Sequence, residues 1–255
     1  MHLRMEEFQE KLAGKKVSVV IPVYNEKNYI YEVLQRVVAT GIPREIVAVD
    51  DSSTDGTTEM LKRIKEEWRE ECSLEIFFKE KNEGKGAALR DGFRRVSGDI
   101  VIIQDADFEY DPGDYPQLLE PILDGRADCV FGSRFLGGTH RVLFFWHMLG
   151  NRFLTLLSNM LTNLNLTDME TCYKVFRTDV IKNMELTSNR FGFEPEITAK
   201  IAQGGWRLYE TSISYSGRTY AEGKKINWKD GVAAIWHILK FNLFPQTFSR
   251  PEKGG

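Results

Sequence analysis

A short run of β-branched apolar residues, Ile100–Ile103, is followed by two carboxylates, Asp105 and Asp107, and limits the possible folds more than any other feature. The run has no polar alternation, so it predicts a strand buried on both faces. Strands of this kind occur mostly in parallel sheets that helices cover on both sides. Side chains two residues apart on an extended chain point the same way. Both carboxylates should therefore project together at the carboxyl end of the strand, where open α/β sheets bind ligands.

Similar apolar runs recur along the chain and alternate with segments of helical periodicity. The predicted strands cover residues 17–21, 46–49, 74–78, 100–104, 128–132, 172–177 and 206–213. This alternation indicates βαβ units, and hence an α/β fold with a mainly parallel sheet flanked by helices. Asn25 is predicted to cap the first of these helices. Acids follow the first, second and fourth strands, and we expect Glu26, Asp50, Asp51 and the Asp105–Asp107 pair to line one cleft.

The Asp105–Asp107 pair admits two interpretations. Carboxylates are costly to bury without a partner, and a hard divalent cation together with a diphosphate would satisfy both. Alternatively, one aspartate caps the helix predicted after Pro112 and the other is solvated. A lone Asp-x-Asp is too common to decide between them. No G-x-G-x-x-G or Walker A pattern follows any strand, which argues against a dinucleotide-dependent dehydrogenase or a P-loop ATPase.

Composition narrows the functional class further. The 255 residues are 42% hydrophobic, which is enough apolar material for a core. The net charge of −3 argues against a general nucleic-acid binder, which needs a basic face. The three cysteines are scattered, without disulfide or zinc spacing, which favours a reducing cytoplasm. The polar start of the chain resembles no signal peptide, and no apolar run of about 18 residues predicts a bilayer-spanning helix.

Two segments, 142–162 and 232–248, combine many large apolar residues with polar positions at helical spacing. In the first, His147, Asn151, Thr155 and Asn159 recur every four residues as a polar stripe. One interpretation is a pair of core helices. The other is a pair of helices lying at a membrane surface, which the basic segment 218–229 favours because anionic headgroups attract cations.

Six motifs occur in an order that resembles the family 2 glycosyltransferases, close to the dolichyl-phosphate mannose synthase group. They are VVIPVYNE at 19–26, VDDSSTDGT at 49–57, NEGKG at 82–86, DAD at 105–107, GSR at 132–134 and RTYAEGKK at 218–225. The resemblance implies a GT-A fold with a nucleotide-sugar donor in the cleft. It divides the chain into an N-terminal extension at 1–16, a catalytic domain at 17–230 and an amphipathic helix with a tail at 231–255.

The resemblance also assigns roles to individual residues. Asp105 and Asp107 would hold Mg²⁺ or Mn²⁺ against the diphosphate and, with Arg218, form the catalytic set. The implied donor-binding residues are Pro22, Tyr24, Glu26, Asp50, Asp51, Gly84, Lys85, Asp105 and Ala106. Among them, Asp50 would read the uracil or guanine edge. The implied phosphate- and acceptor-binding residues are Ser133, Arg134, Arg218, Lys224 and Lys225.

The expected reaction is transfer of a sugar from GDP-mannose or a UDP-hexose to a polyprenyl phosphate, dolichyl or undecaprenyl, with inversion. The protein would act peripherally at the cytoplasmic membrane face, and its oligomeric state is left open. An alternative is a soluble glycosyltransferase with a hydroxyl acceptor, which needs a general base. The candidate bases are Asp168, Glu170, Glu194 and Glu196. A second alternative is a non-catalytic nucleotide-sugar-binding protein.

Overall fold

A computed structural model describes residues 5–137, 141–142, 144–218 and 228–244. The described strands are β1 (Val17–Val23), β2 (Glu45–Asp50), β3 (Ser73–Phe78), β4 (Ile100–Ile103), β5 (Cys129–Ser133), β6 (Lys174–Arg177) and β7 (Leu208–Ser212). The described α-helices are α1 (Met5–Leu12), α2 (Ile30–Ala39), α3 (Thr57–Glu67), α4 (Lys85–Arg95), α5 (Tyr115–Leu123), α6 (Phe145–Thr162), α7 (Thr178–Lys182), α8 (Phe193–Gln203) and α9 (Trp228–Leu243). A 3₁₀ turn at Pro112–Asp114 precedes α5.

These strands form one sheet in the order β3-β2-β1-β4-β6-β5-β7. All neighbours are parallel except β6, which runs antiparallel to both β4 and β5. The predicted α/β class with a mainly parallel sheet is therefore confirmed. The chain moves outward from β1 through β2 to β3 and then returns to β4 on the other side of β1. That reversal creates a crevice between the carboxyl ends of β1 and β4, where α/β sheets bind ligands.

The two faces of the sheet bury separate apolar clusters. Along β1, Val19 and Ile21 pack into one cluster and Val20 into the other, as the alternation of an extended chain requires. Helices α2, α3 and α5 cover the first face, while α4, α8 and part of α9 cover the second. Each fully buried aliphatic side chain contributes about 1.5–3 kcal/mol, so the paired clusters hold the carboxyl edge of the sheet in place.

The segments expected to flank the catalytic domain both pack against it. In α1, Phe8 and Leu12 are buried in the first cluster, and α1 contacts α5. Helix α9 begins at Trp228, earlier than the predicted segment 231–255, and buries Ile238 and Phe241 against α8 and α6. Residues 245–255 lie outside the described residues. The expected boundaries at residues 16 and 230 are thus not breaks in the packing.

Helix α6 packs with its polar stripe inward, which the sequence did not suggest. Asn151 donates to Asp168, Thr155 accepts from the Met169 amide, and Asn159 bonds both backbone groups of Leu166. The leucines at 154, 157 and 161 pack against the second cluster, but many large apolar side chains of α6 face outward. The helix also begins at residue 145, three residues after the predicted start.

The expected cap at Asn25 is wrong. Helix α2 begins at Ile30, and Asn25 adopts a left-handed conformation with φ 54°. Its side-chain oxygen accepts from the Thr54 amide, and its own amide donates to the Ser53 hydroxyl. Asn25 therefore ties the loop after β1 to the loop after β2 and helps to shape the cleft.

Candidate active site

Side chains from four parts of the chain meet at the carboxyl edge of the sheet. Glu26 follows β1, Asp107 follows β4, and Arg218 follows β7 and contacts both of these acids. Because β6 is antiparallel, its first residue, Lys174, lies at the same edge, just after Cys172. The predicted convergence of the acidic loops on one cleft is confirmed for the loops after β1 and β4.

Asp105 is held by a lysine. The Lys85 ammonium, at the start of α4, lies 2.8 Å from Asp105 Oδ1 and 3.6 Å from Glu194 Oε1. It also contacts Cys172 Sγ at 2.8 Å. Burial would raise the pKa of Asp105, but the Lys85 charge, the hydrogen bonds with Cys172 and Lys85 and the Arg218 charge together hold that pKa below its usual value. Asp105 is therefore ionised in a buried setting.

Asp107 lies in a more acidic environment, which Arg218 only partly offsets. The Arg218 guanidinium is 2.5 Å from Asp107, 3.4 Å from Glu26 and 3.4 Å from Glu109. Burial, followed by the negative charges of Asp105 and Glu109, raises the pKa of Asp107 to about 7. One guanidinium thus contacts three carboxylates, and a further cation bound among these carboxylates would be stabilised by their charge.

Glu109 is one of the residues at this site that the sequence analysis did not identify. One of its oxygens accepts from the Arg218 amide at 2.8 Å, and the other from the Tyr215 hydroxyl at 3.0 Å. The spacing could have identified Glu109, because it follows Asp107 by two residues, as Asp107 follows Asp105. Side chains at this spacing lie on one side of an extended chain.

The acids fit a divalent cation. Mg²⁺ in phosphate-transfer sites is usually held by one or two carboxylates together with substrate phosphates, and Asp105 and Asp107 supply such a pair. The charges of Asp105 and Glu109, which help to raise the pKa of Asp107, would also attract a cation to this place. Within the described ranges, no three His, Cys, Asp or Glu side chains form a ready-made metal cluster. Asp105 and Asp107 are the residues that would hold the ion.

Asp50 and Asp51 shape loops instead of facing the cleft. Asp50 is 1% exposed and accepts from the Ser53 amide, the Ser53 hydroxyl and the Thr58 hydroxyl. Asp51 is 2% exposed, accepts from the amides of residues 83 and 84, and pairs with Lys79. Both carboxylates are covered and already hydrogen-bonded, and the expected contact of Asp50 with a nucleobase stays a prediction.

The other expected donor-side residues line the same crevice in different ways. Tyr24 is 39% exposed at the end of β1, next to the half-buried Pro22. Ala106 turns its methyl group into the first apolar cluster, which leaves both neighbouring aspartates on the cleft side. Gly84 precedes α4 with φ +99°, and a Cβ there would lie 2.6 Å from the Asn189 carbonyl oxygen. Only glycine therefore allows Lys85 to start its helix at this place.

Arg134 is engaged by Asp168 instead of being free for a phosphate. Its Nε and Nη2 donate to the two Asp168 oxygens at 2.6 and 2.7 Å, and its amide donates at 3.1 Å. Asp168 is fully buried. Ser133 is also buried and bonds the Thr167 hydroxyl. The structure thus corrects two expectations: Arg134 is already paired, and Asp168 is part of a buried ion pair and not an available base.

The remaining acceptor-side expectations divide into three groups. Lys224 and Lys225 lie outside the described residues. Glu196 is fully buried, pairs with Lys200 at 2.8 Å and accepts from two amides of the loop before α8, so it is structural and not an available base. Glu194 lies 3.6 Å from Lys85, and Glu170 lies close enough to Glu194 to feel its charge. Burial and the charge of Glu194 raise the pKa of Glu170 to about 8.

Comparison with known proteins identifies the family. The family model described as glycosyl transferase family 2 matches residues 18–184, well over half of the chain. The chain belongs to this family. This family 2 glycosyltransferase is therefore an enzyme that transfers sugars, and the resemblance noted in its motifs is confirmed.

Two relatives and one solved structure show what the glycosyltransferase is similar to. It is 29% identical over 253 residues to undecaprenyl-phosphate mannosyltransferase from Micrococcus luteus, covering 89% of this chain and 99% of that protein. It is 35% identical over 125 residues to dolichol-phosphate mannosyltransferase from Pyrococcus furiosus. That second match covers 48% of this chain and only 34% of the relative.

The fold is shared with glucosyl-3-phosphoglycerate synthase from Mycobacterium tuberculosis, solved with Mn²⁺, UDP and glucosyl-3-phosphoglycerate. The TM-score is 0.73 at 18% identity, and the alignment covers 96% of this chain and 86% of that one. At this identity the similarity establishes the GT-A architecture of the glycosyltransferase.

Proposed function

We propose that this glycosyltransferase moves a hexose from GDP-mannose or a UDP-hexose to a polyprenyl phosphate, with inversion, at the cytoplasmic face of a membrane. The names of two relatives support the acceptor class, since they describe mannosyltransferases of undecaprenyl phosphate and dolichol phosphate. The relative from Micrococcus luteus carries most weight, because it aligns over nearly its whole length.

The proposal rests mainly on the acidic and basic side chains that contact one another in the crevice between β1 and β4. Lys85 is paired with Asp105, and Arg218 bridges Asp107, Glu26 and Glu109. A donor diphosphate and an acceptor phosphate in one cleft require cationic side chains, and Arg presents a planar fork suited to phosphate oxygens. The acids in turn require a cation that the substrates do not supply.

Asp105 and Asp107 would hold Mg²⁺ or Mn²⁺ on the donor side. A bound ion supplies Lewis-acid stabilisation for the negative charge that grows on the departing diphosphate. Arg218 lies against the same acids, so its guanidinium is within reach of phosphate oxygens placed there. Lys85 keeps Asp105 ionised and correctly placed.

A phosphate acceptor needs no general base, and two of the four candidate bases, Asp168 and Glu196, are already in ion pairs. A phosphate monoester oxygen is already ionised at neutral pH, since its second pKa is about 6. It can form the bond to the anomeric carbon while the bond to the diphosphate breaks, and the nucleoside diphosphate leaves with the electron pair. This single displacement inverts the anomeric centre. The structural pairing of Asp168 and Glu196 therefore does not hinder the reaction.

The proposed membrane contact is an exposed apolar surface on two helices that touch each other, which we term the α6–α9 apolar face. Its most exposed members are Phe145, Trp146, Phe153, Leu156, Met160, Val232, Trp236 and Leu243. Large exposed apolar patches mark interaction sites, and aromatic-rich amphipathic helices suit the headgroup boundary of a bilayer. No helix among the described residues is long and apolar enough to cross a membrane.

Replacing Phe145 and Trp146 together by Ser is expected to release the protein from lipid. These side chains are 59% and 76% exposed, so their removal costs little folding energy. Each deeply inserted aromatic contributes roughly 1.5–3 kcal/mol to partitioning, so vesicle binding should fall at least about tenfold. Flotation with phosphatidylglycerol–phosphatidylethanolamine vesicles measures the change.

The matched control is Tyr31→Ser, which removes a 57% exposed aromatic from α2 and should leave flotation unaltered. A double variant that still floats, with an unaltered melting temperature, would exclude this face as the membrane contact. A large drop in melting temperature would show that these side chains support the fold.

The catalytic proposal is tested with a donor panel. GDP-mannose, UDP-glucose, UDP-galactose and UDP-N-acetylglucosamine are each incubated with the full chain, Mn²⁺ and a short polyprenyl phosphate, and lipid-linked sugar is measured. We expect a lipid product with one donor, lost on addition of EDTA and restored by excess Mn²⁺ or Mg²⁺.

Other outcomes select the alternatives. Donor hydrolysis or transfer to a sugar hydroxyl, without lipid product, would replace the proposal with a hydroxyl-acceptor enzyme. Nucleotide-sugar binding without any turnover, for every donor and acceptor, would contradict catalysis by this chain.

A further inference from the structure

Two carboxylates, one of them in contact with Lys85, each have a buried oxygen without a hydrogen-bond partner among the described residues. They belong to Glu170, which precedes β6, and Glu194, in the first turn of α8. Oε1 of Glu170 and Oε2 of Glu194 are both inaccessible to solvent. Uncompensated buried oxygens of this kind are costly, so their charge state demands an explanation.

The surrounding cations do not supply two positive charges for these two acids. Lys174 is fully buried, and its ammonium is used by the backbone carbonyls of Met169 and Thr171 and by the Phe131 ring. Burial lowers the pKa of Lys174, which weakens it further as a counter-charge. Lys85 is shared between Asp105 at 2.8 Å and Glu194 at 3.6 Å.

The other charges near Glu170 cancel one another. Arg134 lowers and Asp168 raises the pKa of Glu170, and these two residues form a closed ion pair. The thiol of Cys172 stays neutral, because burial raises its pKa well above the usual value. Glu170 and Glu194 therefore share the Lys174 ammonium, which burial already weakens, and a proton on one of the two acids removes the conflict.

We propose that Glu170 is a neutral carboxylic acid in the working enzyme, and that its proton lets Glu194 carry the charge that holds Lys85 beside Asp105. Glu170 is then a positioning residue that acts through Glu194 and Lys85. The inference rests on the proposed function, because Lys85 and Asp105 lie on its donor side. This positioning role requires the protonated form of Glu170, whereas a general-base role would require the ionised form.

Two consequences follow for the effect of pH. Ionisation of Glu170 above about pH 8 places a second negative charge next to Glu194, so donor-side function should decline as pH rises. The folded carboxyl keeps its proton up to that pH, whereas the unfolded carboxyl loses it in the ordinary glutamate range. The folded state therefore binds more protons in this window, and stability should fall as pH rises through it.

The experiment compares the full-length wild type with Glu170→Gln, a neutral isostere, and Glu185→Gln, which changes an exposed carboxylate between α7 and α8. Both kcat/KM and the melting temperature are measured from about pH 6 to about pH 9.5. We expect wild-type kcat/KM to fall about tenfold per pH unit above pH 8. Glu170→Gln should stay within about threefold of the wild type at pH 7 and lack this decline, whereas Glu185→Gln should follow the wild type.

The melting temperature gives a readout that needs no substrate. It should drop with rising pH in the wild type more than in Glu170→Gln, even if the proposed reaction is wrong. A wild-type kcat/KM that rises through pH 8, together with an inactive Glu170→Gln, would establish a base and overturn the inference. A high-pH decline that persists in Glu170→Gln would overturn it as well. If Glu170→Gln does not fold, the direction of the wild-type profiles alone decides between the two roles.

Discussion

Replacing Asp107 by Asn is expected to lower turnover by about a hundredfold or more, since metal-assisted stabilisation of a leaving group contributes several kcal/mol. The amide keeps an oxygen that can accept from the Glu109 amide, as Asp107 does at 3.1 Å, so the loop should hold its shape. Removing a charge from a crowded acidic pocket should leave the melting temperature equal or higher. Steady-state kinetics and titration with Mn²⁺, which should bind more weakly, measure both effects.

The matched control for that variant is Asp111→Asn on the same loop. Asp111 accepts from the Gly113 amide at the start of the 3₁₀ turn and has no contact with Arg218 or Lys85 among the described interactions. Its activity should stay within about threefold, because an exposed cap supports only local structure. If Asp107→Asn kept full activity and Mn²⁺ affinity, the metal role of this residue would be wrong.

The largest expected loss of stability comes from Asp168→Asn. Asp168 is fully buried and accepts four hydrogen bonds, three from Arg134 and one from Asn151. Removing its charge leaves a buried guanidinium without its counter-ion, which typically costs about 3–5 kcal/mol. Urea unfolding should therefore show a midpoint shifted to lower denaturant with an unchanged slope.

Asp179→Asn serves as the matched control, because Asp179 also forms an arginine pair, with Arg177 at 2.6 Å, but both partners are exposed. Exposed pairs contribute less than about 1 kcal/mol, so this variant should unfold close to the wild type. Equal effects of the two substitutions would show that the Arg134–Asp168 pair adds nothing through its burial.

Much of the fold followed from local pattern. The β-branched runs predicted strands that the structure contains, because a strand buried on both faces tolerates few other residues. The acids after β1 and β4 converged as expected, since parallel strands bring their carboxyl ends to one edge. The antiparallel insertion of β6 between β4 and β5 was not predictable, because local pattern carries no information on which distant strands become neighbours.

The site was predicted less completely, for physical reasons that differ by residue. Asp50 and Asp51 have the composition of ligand contacts, but the hydroxyls and amides that cover them come from turns whose geometry the sequence does not show. Arg134 and Asp168 are separated by 34 positions, and only the folded chain brings them together. The sequence did not predict that the polar stripe of α6 faces inward. It does so because the loop at residues 166–169 has backbone groups that need hydrogen-bond partners.

Arg218 ties the beginning of the chain to its end, since its contact with Glu26 spans 192 residues. During synthesis, the loops after β1 and β4 emerge long before this guanidinium does, so Glu26 and Asp107 at first lack the cation that contacts both of them. Contacts of such long range form late, because the intervening chain must be ordered first. The crevice between β1 and β4 is thus expected to gain its Arg218 contacts late in folding, after the strands that form its walls.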